Sequence, residues 1–220
     1  MTPIITIANQ KGGCGKTTVA MGLAGTYGLR GKKVLVVDAD LQGTATRWAA
    51  SAPDETPFPA AVMGLAAVGG KLHREIKKYV DDYDVIVIDC PPAVDSAAPQ
   101  SALLISDVAI VPVVPSPADL WAARGIKQII DNAADINESL RPLMVANMVP
   151  RTALGREALN TLEDFGIPLA RSMLGQRTAY REAVLYGCPV QSLGSKARNA
   201  ADEIDALADE IWSLMTGGPQ

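Results

Sequence analysis

Short apolar runs alternate along this chain with longer segments in which apolar residues recur every three or four positions. The short runs, such as residues 34–37 and 85–88, are typical of strands that are buried on both faces of a parallel sheet. The longer segments are typical of helices with one buried face. The alternation predicts an α/β fold, namely a doubly wound, mainly parallel β-sheet flanked by helices.

The pattern also predicts where the elements lie. Strands are expected at residues 4–8, 34–38, 60–63, 85–89, 107–113 and 143–147. Helices are expected at residues 19–29, 44–50, 71–82, 98–105, 117–134, 156–165, 177–185 and 197–215. Residues 51–59 hold three prolines, so we predict a surface loop there.

Length and composition limit the domain count and the class of protein. A chain of 220 residues suits one α/β domain, which we place at residues 1–216, followed by a short C-terminal tail at 217–220. With 48% hydrophobic and 20% charged residues, the composition is that of a globular domain. The net charge is −4, so any attraction for nucleic acid requires a local basic patch.

The three cysteines, Cys14, Cys90 and Cys188, are spaced unlike the ligands of a metal site. A sparse and odd number of cysteines is typical of a reducing compartment. The sequence begins directly with a predicted strand, so we expect no signal peptide. It also has no apolar run of membrane-spanning length. These features predict a cytoplasmic protein without a membrane partner.

Polar residues gather where three of the predicted strands end. Residues 9–18 follow the first strand, residues 38–42 come at the end of the second, and Asp89 ends the strand at 85–89. Ligands of doubly wound sheets bind at the carboxyl ends of the strands. We therefore expect these three groups to form one site.

Residues 9–18 read Asn-Gln-Lys-Gly-Gly-Cys-Gly-Lys-Thr-Thr and lie between a predicted strand and a predicted helix. A glycine-rich turn in that position directs backbone N–H groups inward, and the helix N-terminus adds partial positive charge, so the segment can bind phosphate. The pattern predicts that Lys16 reaches the β- and γ-phosphates and that the Thr17 hydroxyl ligates Mg²⁺. The usual motif G-x-x-x-x-G-K-[ST] would place a glycine where Gln10 stands, and this loop carries a second lysine, Lys11.

The loop from Lys11 to Thr18 resembles the deviant Walker A loop of the ParA/MinD ATPases. The resemblance covers nearly the whole chain and is nearest to the small plasmid-type ParA partition ATPases. Residues 115–120 resemble their proline-rich stretch near the dimer interface. Residues 176–187 resemble a further family segment, next to which the chain departs from the family pattern at residues 175–177. The resemblance implies a P-loop NTPase that hydrolyses ATP slowly, with ATP and Mg²⁺ as its ligands.

The resemblance also implies which residues form the site. The implied nucleotide-binding set is Lys11, Gly12, Gly13, Cys14, Gly15, Lys16, Thr17, Thr18, Gln42 and Asn147. The implied catalytic set is Lys11, Lys16 and Asp40. The implied metal set is Thr17, Asp38 and Asp89.

The three aspartates also have support from the sequence pattern itself. Asp89 follows four apolar residues, as expected of a Walker B carboxylate that holds Mg²⁺, although a generic strand-terminating aspartate has the same pattern. Asp38 and Asp40 lie two residues apart, so in an extended segment both side chains point to the same side. The resemblance implies that Asp40 positions the attacking water and that Asp38 lies near the metal. The alternative for Asp38 is that it caps the turn.

Lys11 is the residue that distinguishes this loop. Two lysines so close together repel each other unless anionic oxygens lie between them. The resemblance implies that Lys11 reaches the phosphates of a nucleotide in a facing subunit and acts like an arginine finger supplied in trans. The alternative is an ordinary solvated lysine.

The resemblance further implies an ATP-dependent homodimer that binds DNA nonspecifically, associates with the nucleoid when bound to ATP, and is stimulated by a small adaptor protein. The adaptor would be ParB-like or linked to a cargo, and the cargo would be a plasmid, a chromosome locus or a protein assembly. We expect no DNA-binding domain before the first strand, so DNA binding would be sequence-independent. The candidate basic residues are Arg151, Arg156, Arg171, Arg177, Arg181, Lys196 and Arg198.

Four alternatives stay open at this point. A MinD-like membrane-cycling ATPase would need a basic amphipathic C-terminal helix, whereas residues 202–210 include five acidic residues. An electron-transfer relative of the nitrogenase iron protein would need cysteines in a different pattern. A small-molecule phosphotransferase would need an acceptor pocket and a lid. A nucleotide-binding scaffold without turnover would not need Asp40.

Overall fold

The computed structural model describes residues 2–92, 96–150, 162 and 165–217 of the chain. Its centre is one six-stranded, fully parallel sheet with the strand order β3-β2-β4-β1-β5-β6. The strands are β1 (Ile4–Ile7), β2 (Val34–Asp38), β3 (Ala61–Gly64), β4 (Val85–Asp89), β5 (Val108–Val113) and β6 (Arg141–Ala146). This is the doubly wound α/β sheet that the sequence predicts.

Helices cover the sheet on both sides. They are α1 (Lys16–Leu29), α2 (Thr44–Ala50), α3 (Leu72–Ile76), α4 (Ala98–Leu103), α5 (Pro117–Ala134), α6 (Thr178–Tyr186) and α7 (Arg198–Thr216). Short 3₁₀ segments lie at Ala66–Lys71, Val190–Leu193 and Ser195–Ala197. Because both faces are covered, strand residues are buried whichever way they point, which explains why the strands are continuously apolar.

Alternate residues of each strand belong to different cores. Ile5 and Ile7 of β1 lie in the core beneath α1 and α7, whereas Ile4 lies in the core beneath α3, α4 and α5. On the first side α1 and α7 are in close contact: a Cβ added at Gly22 would come within 2.7 Å of Ile204. This packing fixes α1, and therefore the loop in front of it, against the sheet.

Most predicted boundaries agree with the structure within a few residues, and the strand at 60–63 is confirmed as β3. The first helix begins at Lys16 rather than at residue 19, which places Lys16, Thr17 and Thr18 in its first turn. The predicted helix at 71–82 is wrong in extent, because α3 ends at Ile76. Beyond it the backbone amides bond to carbonyls three residues back, which tightens the chain into turns.

Two predictions about the chain ends and the loops are limited by what the structure describes. Most of the predicted helix at 156–165 and most of the tail at 217–220 lie outside the described residues. Across the described residues, every helix is too short or too polar to cross a lipid bilayer.

Candidate functional site

The strand order brings the three predicted polar groups to one edge of the sheet. β1 lies beside β4, and β4 lies beside β2, so the segments after these strands are neighbours at their carboxyl ends. Asp38 and Asp89 are direct partners in the register of β2 and β4. The site that the sequence predicts from separate segments is therefore one place in the fold.

The glycine-rich loop presents open backbone at this edge. Gly13 and Gly15 have φ values of +76° and +87°, a region in which side chains are strained, and Gly15 is the residue that precedes α1. Among the described residues, no side chain caps the first turn of α1. A Cβ added at Gly12 or Gly13 would meet none of the described residues within 4 Å, so the loop leaves space beside uncapped amides. Such a helix N-terminus favours an anion.

Lys16 lies inside this loop rather than in solvent. Its side chain is largely buried, and Nζ donates a hydrogen bond to the backbone carbonyl of Lys11 at 2.9 Å. The thiol of Cys14 donates to the same carbonyl at 3.3 Å. Burial raises the pKa of the Cys14 thiol, which the nearby charge of Lys16 opposes, so Cys14 is a packed neutral group. A buried ammonium held by one neutral carbonyl is well placed to bind an anion.

Thr17 and Asp89 form the second half of the site. The Thr17 hydroxyl donates to Oδ2 of Asp89 at 2.7 Å, while Oδ1 of Asp89 is buried without a hydrogen-bond partner among the described residues. Burial raises the pKa of Asp89 to about 7, the hydroxyl of Thr17 opposes the shift, and the charge of Asp38 adds to it. An unpaired buried carboxylate oxygen beside a hydroxyl provides the hard oxygen ligands that suit Mg²⁺.

Asp38 has partners of its own. Its Oδ2 accepts hydrogen bonds from the backbone amide and the hydroxyl of Thr46, both at 2.9 Å, and Oδ1 accepts from the amide of Asp40 at 3.2 Å. These contacts are those of the alternative in which Asp38 caps the turn before α2. The implied place of Asp38 near the metal stays a prediction, with carboxylate lone pairs already committed to Thr46.

Asp40 and Gln42 lie further out on the same loop. Asp40 is half-buried, and its Oδ1 accepts from the amide of Gln42 at 2.9 Å. The side chain of Gln42 is exposed. The structure therefore places Asp40 at the rim of the site. It places Gln42 outside the phosphate cradle, which is the glycine-rich loop together with the first turn of α1.

Asn147 follows β6 and lies on the other side of the glycine-rich loop. It is buried, and Nδ2 donates to the carbonyl of Cys14 at 2.7 Å. A Cβ added at Gly15 would lie only 2.1 Å from that nitrogen, so the loop and Asn147 fit closely. Beside them is a cavity of about 120 Å³ lined by Thr18, Asn147, Met148, Gln176, Arg177 and Tyr180. Asn147 thus joins the cradle to a small pocket next to α1.

Residues 5–190 match the family model described as the CobQ/CobB/MinD/ParA nucleotide binding domain. The chain belongs to this family. It is 35% identical over 208 residues to maintenance of carboxysome distribution protein A of Halothiobacillus neapolitanus, covering 94% of this chain and 95% of that protein. It is 26% identical to the sporulation initiation inhibitor protein Soj of Bacillus subtilis, covering 96% and 98% of the two chains.

The fold agrees with that assignment. The septum site-determining protein MinD of Pyrococcus horikoshii, solved as a complex with Mg-ADP, superposes with a TM-score of 0.78 at 26% identity, and 97% of each chain is covered. The predicted resemblance to ParA/MinD ATPases and the predicted fold class are confirmed. One solved relative carries Mg-ADP and another carries ATP, which are the ligands that the sequence predicts.

The small cavity of this ParA/MinD-family chain has a wall that sequence reasoning missed. Arg177 donates from Nε to Oε2 of Glu203 at 2.9 Å and also pairs through Nη2 with the other oxygen. The hydroxyl of Tyr180 bonds Oε2 of Glu203 at 3.1 Å. Glu203 stands on α7, far along the chain, so no local pattern indicates the contact.

A second contact that sequence reasoning missed involves Lys11. Its Nζ lies 2.8 Å from Oδ1 of Asp119, on α5 of the same chain. The segment Ser116-x-x-Asp119 indicates only the start of a helix, and Ser116 does cap α5. The predicted reach of Lys11 into a facing subunit stays a prediction, and in the single chain the ammonium has an internal partner.

The candidate DNA-binding residues prove to differ in what surrounds them. Arg171, Arg177 and Lys196 each form an ion pair with an acidic side chain, namely Glu210, Glu203 and Glu182. Arg181 and Arg198 are exposed. Arg151 and Arg156 lie outside the described residues. The pairing reduces the local positive charge that the sequence alone suggests.

Proposed function

We propose that this ParA/MinD-family chain is an ATP hydrolase that works as an ATP-dependent homodimer and positions a cargo along DNA. The observation that carries the proposal is the arrangement at Asp89. An unpaired buried carboxylate oxygen lies beside the Thr17 hydroxyl, and both are close to the charge of Lys16. That arrangement suits a nucleotide phosphate together with a divalent cation.

Each part of the cradle has its own task in this proposal. The uncapped amides before and within α1 bind phosphate oxygens, and the ammonium of Lys16 turns from the carbonyl of Lys11 to the phosphates. Thr17 and Asp89 would hold Mg²⁺, which supplies positive charge to the transferring phosphoryl group. Once Lys16 has turned to the bound phosphates, all of these groups are in place, so little reorganisation is needed in the reaction itself.

Asp40 is the group that we assign to the attacking water. It stands half-buried at the rim of the site, where its Oδ1 accepts a hydrogen bond from the amide of Gln42. A carboxylate in that place can orient a water molecule and accept its proton. Turnover without a stimulating partner is expected to be slow, about 10⁻⁴–10⁻² s⁻¹, as in switch-type NTPases.

The homodimer is supported by what lies around the rim. Leu41, the residue after Asp40, is a large apolar side chain that is exposed in the single chain. Exposed apolar residues beside an open site are typical of a surface that another protein covers. A second copy in that position would bring its Lys11 towards the nucleotide of the first.

The cargo is proposed from the relatives. Soj and the carboxysome distribution protein have positioning or sporulation roles in their names, and the latter is the more similar of the two. We therefore favour a protein assembly as the cargo, reached through an adaptor protein, over a plasmid or a chromosome locus. Nonspecific DNA would supply the surface along which the dimer holds and releases the cargo.

The MinD-like alternative receives less support from the structure. Membrane binding would need an apolar helix face that is available to lipid. In α7, Ile204, Leu207 and Ile211 are buried in the core against α1, and the outward positions carry acidic residues. Flotation with anionic lipid vesicles in the presence of ATP tests this alternative, because a MinD-like protein would move with the vesicles.

The decisive experiment combines ATP turnover with sedimentation. Asp40→Ala is expected to form the homodimer in the presence of ATP as the wild type does, but to lose ATP hydrolysis. The reason is that the cradle is intact and only the water-positioning group is removed. Asp131→Ala, an exposed aspartate on α5, is the control and should change neither property. Unchanged turnover in Asp40→Ala would remove Asp40 from the reaction, and a wild type that binds ATP without hydrolysing it would favour the nucleotide-binding scaffold.

DNA binding has a separate test. Binding is expected with ATP, weaker with ADP, and steeply reduced as salt rises, because contacts to phosphates release counterions. A duplex of arbitrary sequence should serve as well as any other. Binding that ignores both salt and nucleotide would remove DNA from the proposal while leaving the ATPase intact.

A further inference from the structure

Lys11 is held inside its own chain by a buried carboxylate. The side chain of Asp119 is 7% exposed, whereas that of Lys11 is 40% exposed, and the two form a 2.8 Å ion pair. The other oxygen of Asp119 accepts the hydroxyl of Ser116, and the amide of Asp119 donates back to that hydroxyl oxygen at 3.2 Å. The carboxylate is therefore oriented by the start of α5 before Lys11 reaches it.

The same helix also contacts the residue before Lys11. A Cβ added at Gly125 would lie 2.0 Å from the side-chain amide of Gln10, so Gln10 packs directly on the backbone of α5. The glycine at this position leaves the space that Gln10 fills. The first turns of α5 thus hold both Gln10 and Lys11, and the beginning of the phosphate loop is attached to α5 at two points.

We propose that Asp119 is a positioning residue that holds Lys11 within its own chain until a facing, nucleotide-loaded copy replaces it as the partner of the ammonium. This inference rests on the proposed role of Lys11 in trans. In the single chain the ammonium of Lys11 is held at 2.8 Å from Asp119, and we infer that reaching a phosphate in another subunit breaks this contact.

Charge explains why such a hold would select for ATP. Release of Lys11 leaves Asp119 buried without a cation, and an unpaired buried charge is unfavourable. The facing nucleotide must compensate by attracting Lys11 more strongly than Asp119 does. ATP carries more negative charge than ADP, so it competes better for the ammonium. Because of the buried carboxylate, the homodimer forms only over a nucleotide with enough negative charge to attract Lys11 away from Asp119.

Asp119→Asn removes the charge and keeps the size of the side chain and a partner for Ser116. Lys11 is then expected to leave α5 readily. Half-maximal homodimer formation in sedimentation should therefore need about tenfold less ATP, and ADP should also support the homodimer. Asp131→Asn is the matched control, because Asp131 forms an ion pair with Lys127 at 2.6 Å on the same helix, far from the loop. Loss of this ion pair should not change the ATP concentration that homodimer formation needs.

A second measurement looks at Lys11 directly in the chain without nucleotide. Acetylation by an amine-reactive ester, read by mass spectrometry, should modify Lys11 several-fold faster in Asp119→Asn than in the wild type. Asp119→Glu, which keeps the charge, should bring the rate back towards that of the wild type. Lys127 in Asp131→Asn gives the rate change that loss of an exposed ion pair produces by itself.

These outcomes separate the two levels of the proposal. If the wild type never forms a homodimer in the presence of ATP, the trans role of Lys11 fails. The inference about Asp119 then fails with it, even where the labelling shows the internal ion pair. Two results would overturn only the role of Asp119 while the wild type still forms the homodimer. One is that Asp119→Asn needs as much ATP as the wild type, or more, to form the homodimer. The other is that Lys11 is labelled at an unchanged rate in this variant. Should Asp119→Asn fail to fold by circular dichroism, Ser116→Ala takes its place, with the same direction of change and a smaller size.

Discussion

Two regions of the molecule differ in whether their charged groups have matching partners. One is the nucleotide edge, which is the carboxyl end of the sheet with Lys16 and Asp89, and the other is the helical face formed by α6 and α7. At the edge, Asp89 has a buried oxygen without a partner among the described residues, and Lys16 is buried against a neutral carbonyl. On the helical face, two acidic residues of α7 are matched: Glu203 accepts hydrogen bonds from Arg177, and Glu210 accepts them from two backbone amides.

The difference shows where a ligand belongs. A buried oxygen without a partner and a buried ammonium held only by a neutral carbonyl both cost free energy, so folding alone gives no reason for Asp89 and Lys16 to be placed as they are. Matched charges need no such reason, because they contribute to the stability of the fold. Substitutions at the edge should therefore affect chemistry and spare stability, whereas substitutions on the helical face should do the reverse.

The largest expected effect is at the edge. Lys16→Ala should reduce ATP turnover by about 10²–10³, the usual cost of removing one preorganised group that stabilises developing charge. The midpoint of urea unfolding should stay close to that of the wild type, since Lys16 makes one hydrogen bond to a neutral carbonyl. A strong loss of stability would mean that the edge is built like the helical face, and the contrast would disappear.

The largest stability effect is expected where α6 meets α2. Gly187 ends α6 with a φ of +63°, and a Cβ there would lie 2.0 Å from the backbone nitrogen of Ala52. Gly187→Ala should lower the free energy of unfolding by about 3 kcal/mol, from strain and the backbone clash together. Gly31→Ala is the control, because its φ is +80° but nothing lies within 4 Å. Urea unfolding should show a loss of only about 1–2 kcal/mol there.

A smaller effect, with a defined pH dependence, is expected at Glu210. Burial by itself raises the pKa of Glu210, but hydrogen bonds from the amides of Arg171 and Ser172 outweigh burial and hold the pKa below its ordinary value. The group therefore adds stability above the pKa of the unfolded chain, and this stability is lost as the pH falls through the folded pKa. Glu210→Gln should cost about 1–3 kcal/mol at neutral pH.

Unfolding of this variant and of the wild type, followed from pH 7 downwards, checks the sign. The two free energies of unfolding should converge as the pH falls. A difference that grew with acid would show that the pKa of Glu210 is raised in the folded chain, and that the helical face carries an unfavourable charge after all.

The smallest effect is expected at the exposed pair of Lys196 and Glu182, which lies 2.6 Å apart. Solvent screens such a pair, and ordering two long side chains offsets the attraction. Lys196→Ala should therefore leave the melting temperature unchanged within the error of a thermal scan. A measurable loss would show that the helical face depends on its exposed charges as well as on its half-buried ones.

Much of this molecule could be predicted from the order of its residues. The strands are apolar throughout because both faces of a parallel sheet are covered, and that regularity makes residues 34–38 and 85–89 recognisable at sight. The glycine-rich loop is equally local, since strand, turn and helix follow one another within 30 residues. Prediction was weaker for the helix at 71–82, where the local pattern continues but the chain tightens into turns after Ile76.

Local order determined the fold class, the loop and the aspartates at the strand ends, because each depends on residues that are close in sequence. Only the tertiary structure decided which polar groups meet across long separations. It brought Glu203 to Arg177 and Asp119 to Lys11. The reason is physical: an ion pair or a cap depends on where side chains lie in space, and helices of similar composition can bring quite different partners together.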